Sequence, residues 1–263
     1  MTSPVDAPTP TAADALAGQR VVIIGGSSGL GLASAQAAAA AGAEVVIAAR
    51  SPQRLEAARE TIPGAESRRV DVSDEESIRA FAADLGSFDH MMISSAGGVP
   101  GNFRAGLDGT ATIAAGEVAD GDLEAARNFM DVKFWSNYLL AYYSLDQIGA
   151  EGSYLFMSGT LARRPLGRPI ATAVQAGVEA LTRALALELA PIRVNALCPG
   201  TTDTPLWDYM SEAERAEHYE RFVAMAPLRR VAQPEEIAHS AIYLMTNRFT
   251  TGTVLDVDGG RLL

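Results

Sequence analysis

The chain has 263 residues, in which 21 Lys and Arg stand against 32 Asp and Glu, so the formal net charge is −11. An acidic chain is not expected to bind nucleic acid, because phosphate backbones require clustered cationic surface. The hydrophobic content of 48% is too high for a disordered chain and indicates a packed core. The single cysteine, Cys198, cannot form an internal disulfide, which fits a reducing cytoplasm.

The N-terminal region has no apolar period and is rich in Pro, Thr, Ala and Asp. Residues 1–17 are therefore predicted to form a mobile tail, and they lack the basic start and apolar block of a secretory signal. The most membrane-like stretch, 30–49, is interrupted by Gln36, Gly42 and Glu44, so no membrane span is predicted. We expect one domain over residues 18–263.

Strands of the buried type alternate with helices along that domain. Strands are predicted at 21–24, 44–49, a segment ending at 72, 90–94, 153–158, 193–197 and 254–257. Helices are predicted at 32–41, 52–61, 74–85, 122–148, 170–190 and 234–246. Runs of β-branched residues without polar alternation are typical of strands buried on both faces of a parallel sheet. The pattern predicts an α/β fold with a Rossmann-type, doubly wound parallel sheet of about seven strands.

A glycine-rich turn joins the first predicted strand to the first predicted helix. Gly25, Gly29 and Gly31 permit tight curvature and close approach of a phosphate, to which the N–H groups of the following helix can donate. Ligands of doubly wound sheets bind beyond the carboxyl ends of the strands. The position of the turn therefore favours dinucleotide binding over a purely structural role.

The spacing Gly25-x-x-x-Gly29-x-Gly31 resembles the cofactor motif of the short-chain dehydrogenase/reductase family. Further motifs follow in the family's order over residues 18–260, namely Asp71, Ser94-Ser95-Ala96-Gly97, Arg193-Val194-Asn195, Pro199-Gly200-Thr201-Thr202-Asp203-Thr204 and Val257-Asp258-Gly259-Gly260. The resemblance implies a nicotinamide cofactor. It places the glycines at the pyrophosphate and Thr204 at the nicotinamide. The full set of implied cofactor contacts is Gly25, Ser27, Ser28, Gly29, Leu30, Gly31, Arg50, Asp71, Val72, Ser95, Ala96, Gly97, Gln175, Pro199, Gly200, Thr202 and Thr204.

Arg50 distinguishes between the two nicotinamide cofactors. It is the first residue after the second predicted strand, where an acidic residue would bind the ribose 2′-hydroxyl of NAD. A guanidinium at that point can pair with a 2′-phosphate and stack on the adenine. We therefore expect NADP(H) rather than NAD(H), with Ser27 and Ser28 as helpers. A solvated surface arginine is the alternative.

The family's catalytic positions are occupied differently in this chain. The segment 176–182 resembles the family's continuation after its catalytic lysine, which assigns the lysine position to Gln175 and the tyrosine position to Ala171. Neither residue can supply a proton or lower the pKa of a neighbour. Ser158 matches the family's serine, and Lys133 stands at its asparagine position.

Lys133 is the only lysine of the chain. Because burial can tune a lysine but not an arginine, one hypothesis is that Lys133 restores positive charge beside Ser158 and acts electrostatically or as a proton donor. The alternative is that it fills space, or pairs with Asp131 or with a neighbouring subunit.

Several other segments and residues are candidates for a role in the site. The stretch 97–123 is predicted to form a flap, and 205–227 a substrate lid in which Tyr209 or His218 could donate a proton. Arg163 and Arg164 are interpreted as ligands of an anionic substrate, as a solvated pair or as an interface contact. His90 and Cys198 are interpreted as structural. No metal site is predicted, because the three histidines lie far apart and no cysteine cluster accompanies them.

Three functions remain open from the sequence. The first is an atypical NADP-dependent oxidoreductase that transfers hydride to or from a carbonyl or alcohol of a partly apolar small molecule, with Ser158 and Lys133 as catalytic residues. The second is a cofactor-binding enzyme with non-redox chemistry such as cyclisation, elimination or isomerisation. The third is a non-catalytic binding or regulatory protein. The resemblance also implies a homotetramer or homodimer, which the apolar 170–190 helix supports.

Overall fold

The computed structural model describes residues 14–95, 123–166 and 168–263. These residues contain seven strands: β1 (Arg20–Ile24), β2 (Glu44–Ala49), β3 (Glu66–Arg69), β4 (Phe88–Ile93), β5 (Ile148–Met157), β6 (Arg193–Pro199) and β7 (Val254–Val257). The strands pair in parallel in the order β3-β2-β1-β4-β5-β6-β7. The chain order reverses between β1 and β4, and this reversal is where a doubly wound sheet binds its ligand. The predicted fold class is confirmed.

Helices cover both faces of the sheet. The described residues contain eight α-helices: α1 (Gly29–Ala40), α2 (Pro52–Glu60), α3 (Glu75–Leu85), α4 (Leu123–Met130), α5 (Ser136–Ser144), α6 (Pro169–Glu188), α7 (Glu212–Ala224) and α8 (Pro234–Thr246). Alternate residues of β1 face opposite sides, as strand geometry requires. Val22 and Ile24 join the core shared with α3, α5 and α6, whereas Val21 and Ile23 join the core shared with α1, α2 and α8.

Three predicted boundaries were wrong. β3 ends at Arg69, before the apolar Val70 and Val72, which are buried in the core beyond the end of the strand. The predicted helix 122–148 is interrupted by a π-helical turn and ends at Ser144. β5 therefore begins five residues earlier than predicted and includes Gly152, where a Cβ would lie 2.4 Å from the carbonyl oxygen of Asp89.

The predicted N-terminal tail extends too far into the domain. Residues 1–13 lie outside the described residues, but Leu16 is fully buried and its N–H donates to the carbonyl of Ala41 at 2.9 Å. The packed part of the chain therefore includes Leu16, which contributes to the core around α1 and β2.

The Arg193-Val194-Asn195 motif has a structural role. The buried Arg193 guanidinium donates to the carbonyls of Leu244 (2.6 Å) and Met245 (2.5 Å), which lie in the last turn of α8. Asn195 Nδ2 donates to the carbonyl of Thr250 at 2.9 Å. Since the last carbonyls of a helix have no partner within the helix, the motif satisfies them and fixes the connection from α8 to β7.

His90 also has the structural environment that was expected. Its two ring nitrogens lie 2.8 Å from Ser153 Oγ and 2.8 Å from Gln19 Oε1. Burial, with a smaller contribution from the charge of Arg193, lowers the pKa of His90 to about 3. The imidazole is therefore neutral at physiological pH and links β4 to β5.

Helix α6 has the length and hydropathy of a membrane span, and it is the one described helix that does. This is weak evidence for a membrane, because core helices of α/β proteins share these properties. Its residues Val174, Val178 and Leu185 are buried, and the core cluster that contains Val178 and Leu185 also contains strand residues of β5 and β6. Packing against the sheet accounts for its apolar character.

Candidate functional site

The glycine-rich turn lies at the carboxyl end of β1, beside the end of β4. A Cβ on Gly31 would lie 2.2 Å from the carbonyl oxygen of Gly25, so only glycine lets α1 approach β1 this closely. Gly25 has a φ of +81°, and a Cβ there would lie 2.9 Å from the carbonyl oxygen of Ser94. The backbone of the turn is therefore packed too closely against its neighbours to accept side chains at Gly25 and Gly31.

The first turn of α1 is arranged to receive an anion. Ser28 caps the helix without a side-chain hydrogen bond to it, and the first turn contains no acidic residue. The N-terminal N–H groups and the helix dipole attract negative charge at this point. Ser27, Ser28 and Leu30 are all partly exposed around the turn, as a phosphate contact requires.

Residues after β2 and β3 lie along the adenosine side of the cleft. Arg50 directly follows β2 and is exposed. Asp71 Oδ1 accepts from the N–H (3.0 Å) and the hydroxyl (2.7 Å) of Ser73, which fixes the carboxylate. The side chain of Val72 is buried in the core, so a cofactor contact there would come from its backbone. Ser95 is the last described residue of this stretch; Ala96, Gly97 and the predicted flap up to residue 122 lie outside the described residues, and Leu123, the last residue of that prediction, begins α4.

The segment after β6 closes the other end of the cleft. A Cβ on Gly29, whose φ is +52°, would lie 3.4 Å from Cβ of Thr204. Thr202 Oγ1 donates to the carbonyl of Gly200 at 3.1 Å, which shapes the turn after Pro199. The glycine turn therefore lies close to the segment assigned to the nicotinamide end.

Ser158 directly follows β5 and is buried. Its Oγ lies 3.2 Å from Oε1 of Glu179 on α6, and Glu179 Oε1 also accepts from Nε of Arg163 at 3.2 Å. Arg163 then binds both carboxylate oxygens of Asp256 on β7. The charge pairing raises the pKa of Arg163, so this arginine is always cationic. Ser158 is therefore part of a four-residue polar network.

The network includes residues that the sequence analysis missed. Glu179 lies one helical turn after Gln175, so the i to i+4 spacing places both on one face of α6. This spacing could have identified Glu179 from the sequence. Asp256 is 93 residues from Arg163, and nothing in the sequence pairs them. Arg163 was proposed to bind a substrate anion, but the structure shows it paired with Glu179 and Asp256.

The two positions assigned to the family's tyrosine and lysine are packed. Ala171 is buried in a cluster with Ala125, Phe129 and Val174. The Gln175 side chain covers Gly159, where a Cβ would lie 2.6 Å from Oε1. This Oε1 is buried and has no hydrogen-bond partner among the described residues. An unpartnered amide oxygen fits a position that contacts a hydroxyl of the cofactor.

Lys133 lies in the π-helical turn Asp131–Trp135 between α4 and α5. A π turn frees carbonyls from the α-helical pattern, and here the carbonyls of Val132 and Lys133 accept from Ser136 Oγ and Asn137 Nδ2, each at 2.6 Å. Such turns are frequent at functional sites. The turn packs on α6, since a Cβ on Gly177 would lie 3.2 Å from Cδ2 of Phe134.

The Lys133 ammonium forms no ion pair with Asp131 or with any other described residue. Burial lowers the pKa of Lys133 to about 8, with no opposing contribution from a carboxylate. The proposed pairing with Asp131 is therefore wrong. Lys133 and Ser158 approach α6 from two sides: the lysine's turn packs at Gly177, and the serine contacts Glu179.

The predicted lid is an ordered aromatic cluster around α7. His218 is buried between Trp207 (4.3 Å between ring centroids) and Phe222 (4.5 Å). Burial, reinforced by Arg221, Arg168 and Arg261, lowers the pKa of His218 to about 4. Burial also raises the pKa of Tyr209. In this arrangement both pKa values are shifted away from neutral pH, which argues against the proton-donor hypothesis for both.

The packing around Ala171 makes a testable prediction. We expect Ala171→Tyr to destabilise the fold by about 1–3 kcal/mol, because the ring must displace the Phe129 and Val174 side chains. Urea denaturation measures this change. Ala180→Tyr is the matched control on the exposed face of α6 and should change stability little. Equal stability of the Ala171 and Ala180 variants would show that the tyrosine position is still open.

Comparisons with known proteins agree with this geometry. The family model described as Enoyl-(Acyl carrier protein) reductase matches residues 25–261. The short-chain dehydrogenase/reductase malC of Malbranchea aurantiaca is 31% identical over 280 residues, which cover 98% of this chain and 99% of that protein.

Two solved structures share the fold at similar identity. The MalC reductase/Diels-Alderase from Malbranchea aurantiaca superposes with a TM-score of 0.83 at 28% identity, over 96% of this chain and 99% of that one. A small-chain dehydrogenase in complex with NADPH has a TM-score of 0.76 at 30% identity, over 93% and 98% of the two chains. The glycine turn and the unpartnered Gln175 amide fit a nicotinamide cofactor. The chain belongs to the short-chain dehydrogenase/reductase family of NAD(P)-dependent oxidoreductases.

Proposed function

We propose that the protein is an NADP(H)-dependent oxidoreductase that interconverts a carbonyl and an alcohol on a small molecule through an atypical proton relay. The observation that carries the proposal is that Thr204, assigned to the nicotinamide, lies close to the glycine turn assigned to the pyrophosphate, since a Cβ on Gly29 would lie 3.4 Å from Cβ of Thr204. A scaffold protein has no chemical reason to retain this arrangement.

Arg50 supports the choice of NADP(H). It follows β2 on the exposed edge of the cleft, and a guanidinium forms paired, charge-assisted hydrogen bonds with a phosphate. The NADPH complex of a dehydrogenase that is 30% identical to this chain supports the same choice.

The proton relay is assigned to the residues around α6. When bound, a nicotinamide cofactor supplies or accepts the hydride. The substrate oxygen must then gain or lose a proton, and a group whose pKa lies near the working pH is the most efficient acid or base. Lys133, with a pKa of about 8, meets this requirement. Ser158 is held by Glu179 and orients the substrate oxygen through its hydroxyl.

Non-redox chemistry in the same pocket is a second candidate function. Ala171 and Gln175 cannot act as the family's proton donor and its ammonium, which favours chemistry controlled by the shape of the pocket. The relative described as a reductase/Diels-Alderase supports a cyclisation reaction as the form of this chemistry. Loss of NADPH absorbance with a panel of carbonyl and imine compounds separates the two candidates, because cyclisation alone does not consume NADPH.

The proposal includes a cytoplasmic homodimer or homotetramer. Trp135, Tyr138 and Tyr142 form an exposed aromatic ladder along α5 and the turn before it, with ring centroids 6.1 Å apart at both steps. Exposed apolar ladders of this kind are typical of subunit interfaces. The free, buried Cys198 fits a reducing compartment.

Calorimetric titration with NADPH, NADP, NADH and NAD tests the cofactor assignment. We expect Arg50→Gln to weaken NADPH binding about 10- to 100-fold, as the loss of charge-assisted hydrogen bonds predicts, and to leave NADH binding nearly unchanged. Arg248→Gln is the control, since this exposed arginine follows α8 and pairs with Glu151 on β5. Equal losses for NADPH and NADH would show that Arg50 does not recognise the 2′-phosphate.

The role of Lys133 is tested by the pH dependence of turnover. If Lys133 donates the proton, carbonyl reduction should be fast below pH 8 and fall as the ammonium deprotonates above it. Lys133→Met should lower kcat about 100-fold or more and abolish this pH limb. Cofactor affinity, measured by calorimetry, should stay the same. An unchanged kcat and pH profile would exclude the proton relay through Lys133.

Sedimentation velocity tests the oligomeric state. We expect a dimer or tetramer at micromolar concentration, and a shift toward monomer in the double variant Tyr138→Glu and Tyr142→Glu, because two charges would be buried at the interface. The control is Tyr243→Glu, at another exposed tyrosine. A wild-type monomer at this concentration would contradict the proposal.

A further inference from the structure

A cavity of about 410 Å³ lies beneath α7, between the carboxyl end of β6 and the C-terminal segment. Apolar residues form much of its wall: Phe222, Val223, Ala226, Pro227, Leu228 and Val257. Its volume lies in the range of small-molecule sites. Of the residues that line the cavity, only Gly200 was assigned to the cofactor.

Arg261 is the unusual residue of this cavity. It is 4% exposed, and its Nε and Nη2 are buried without a hydrogen-bond partner among the described residues. The guanidinium lies over the Phe222 ring, 4.4 Å from its centroid. Stacking satisfies the face of a guanidinium but leaves the N–H groups on its edge free to donate.

The acids that line the cavity do not neutralise Arg261. Glu236 pairs with Arg230 at 2.5 Å, and Asp256 pairs with Arg163. The two carboxylate oxygens of Asp258 accept from the backbone N–H groups of Gly260 and Leu262, each at 2.8 Å. Of the two arginines that line the cavity, only Arg261 lacks a carboxylate partner among the described residues.

Two further arginines place positive charge near the Arg261 guanidinium. Burial and the nearby Arg164 and Arg168 lower the pKa of Arg261, and Asp258 opposes them only in part. Arg164 is held there because its Nη1 donates to the Arg261 carbonyl. A buried, unpaired cation is unfavourable unless an anion compensates it.

We propose that this cavity binds a small apolar molecule that carries a carboxylate, with the edge of the Arg261 guanidinium as its counter-ion. The planar N–H edge matches a carboxylate, and the aliphatic and aromatic wall accommodates an apolar body. Because the cavity extends to Gly200 and Thr201, next to the segment assigned to the nicotinamide, the ligand is either the substrate itself or a separate effector. This binding does not depend on the redox chemistry proposed above.

Calorimetric titration of the full chain without cofactor tests the site with three probes: 4-phenylbutyrate, its neutral amide and inorganic phosphate. We expect 4-phenylbutyrate to bind at least 10-fold more tightly than the amide. Equal affinities of the acid and the amide, or no binding of the acid, would overturn the proposal. Tighter binding of phosphate than of the carboxylate would overturn the assigned ligand class.

Variants separate a binding role of Arg261 from a structural one. Arg261→Met should weaken 4-phenylbutyrate binding at least 10-fold without lowering the Tm, since it removes an unpaired buried cation. Arg248→Met, remote from the cavity, should leave the affinity unchanged. A lower Tm for Arg261→Met together with unchanged affinity would show that Arg261 is structural. The comparison of acid and amide on the wild-type chain remains decisive even if the variant fails to fold.

Titration in the presence of NADPH distinguishes the two sources of the ligand. A substrate-like carboxylate should bind more tightly with the cofactor, and carboxylate-bearing carbonyl compounds should lose kcat/KM in Arg261→Met. An effector should bind equally well with and without NADPH, and Arg261→Met should leave kcat/KM for neutral substrates unchanged. Either pattern supports the carboxylate site.

Discussion

The close approach of α1 to β1 at Gly31 determines the geometry of the whole cleft. With no Cβ on Gly31, the first turn of the helix packs against Gly25, just after the end of β1 and beside the end of β4. The position of α1 in turn sets the position of Gly29, which lies close to Thr204. One missing methyl group thus sets the distance between the glycine turn and the segment after β6, and a side chain at Gly31 would increase it.

The positions assigned to the family's tyrosine and lysine are occupied by packed side chains. Apolar packing fills the position of the expected tyrosine, and the Gln175 amide lies over Gly159. Charge is still present around α6, but it comes from Lys133 on one side and from the Ser158, Glu179 and Arg163 network on the other. If the partly buried Lys133 and the hydrogen-bonded Ser158 act in catalysis as proposed, two classes of chemistry fit the same pocket.

Most of the fold and much of the cofactor cleft could be predicted from local sequence. Buried parallel strands require uninterrupted apolar runs, so the strands were predictable. Closely spaced glycines indicate where two backbone segments approach each other, so the turn between β1 and α1 was predictable as well. β3 was misplaced because it is a polar edge strand, while the apolar Val70 and Val72 that follow it belong to the core. The π turn was missed because one extra residue barely alters apolar periodicity. The partners of Arg163 and Arg261 depend on tertiary contacts that no local pattern encodes.

The π turn at Asp131–Trp135 also fixes the rotational register between α4 and α5. A π turn inserts one residue relative to a continuous α-helix, and one residue corresponds to a rotation of about 100°. The inserted residue therefore decides which face of α4 meets α6. With it, Ala125 and Phe129 lie against Ala171 and Val174. A single-residue deletion in this turn would point that face elsewhere, so the packing that fills the former tyrosine position is a property of chain length as much as of side-chain identity.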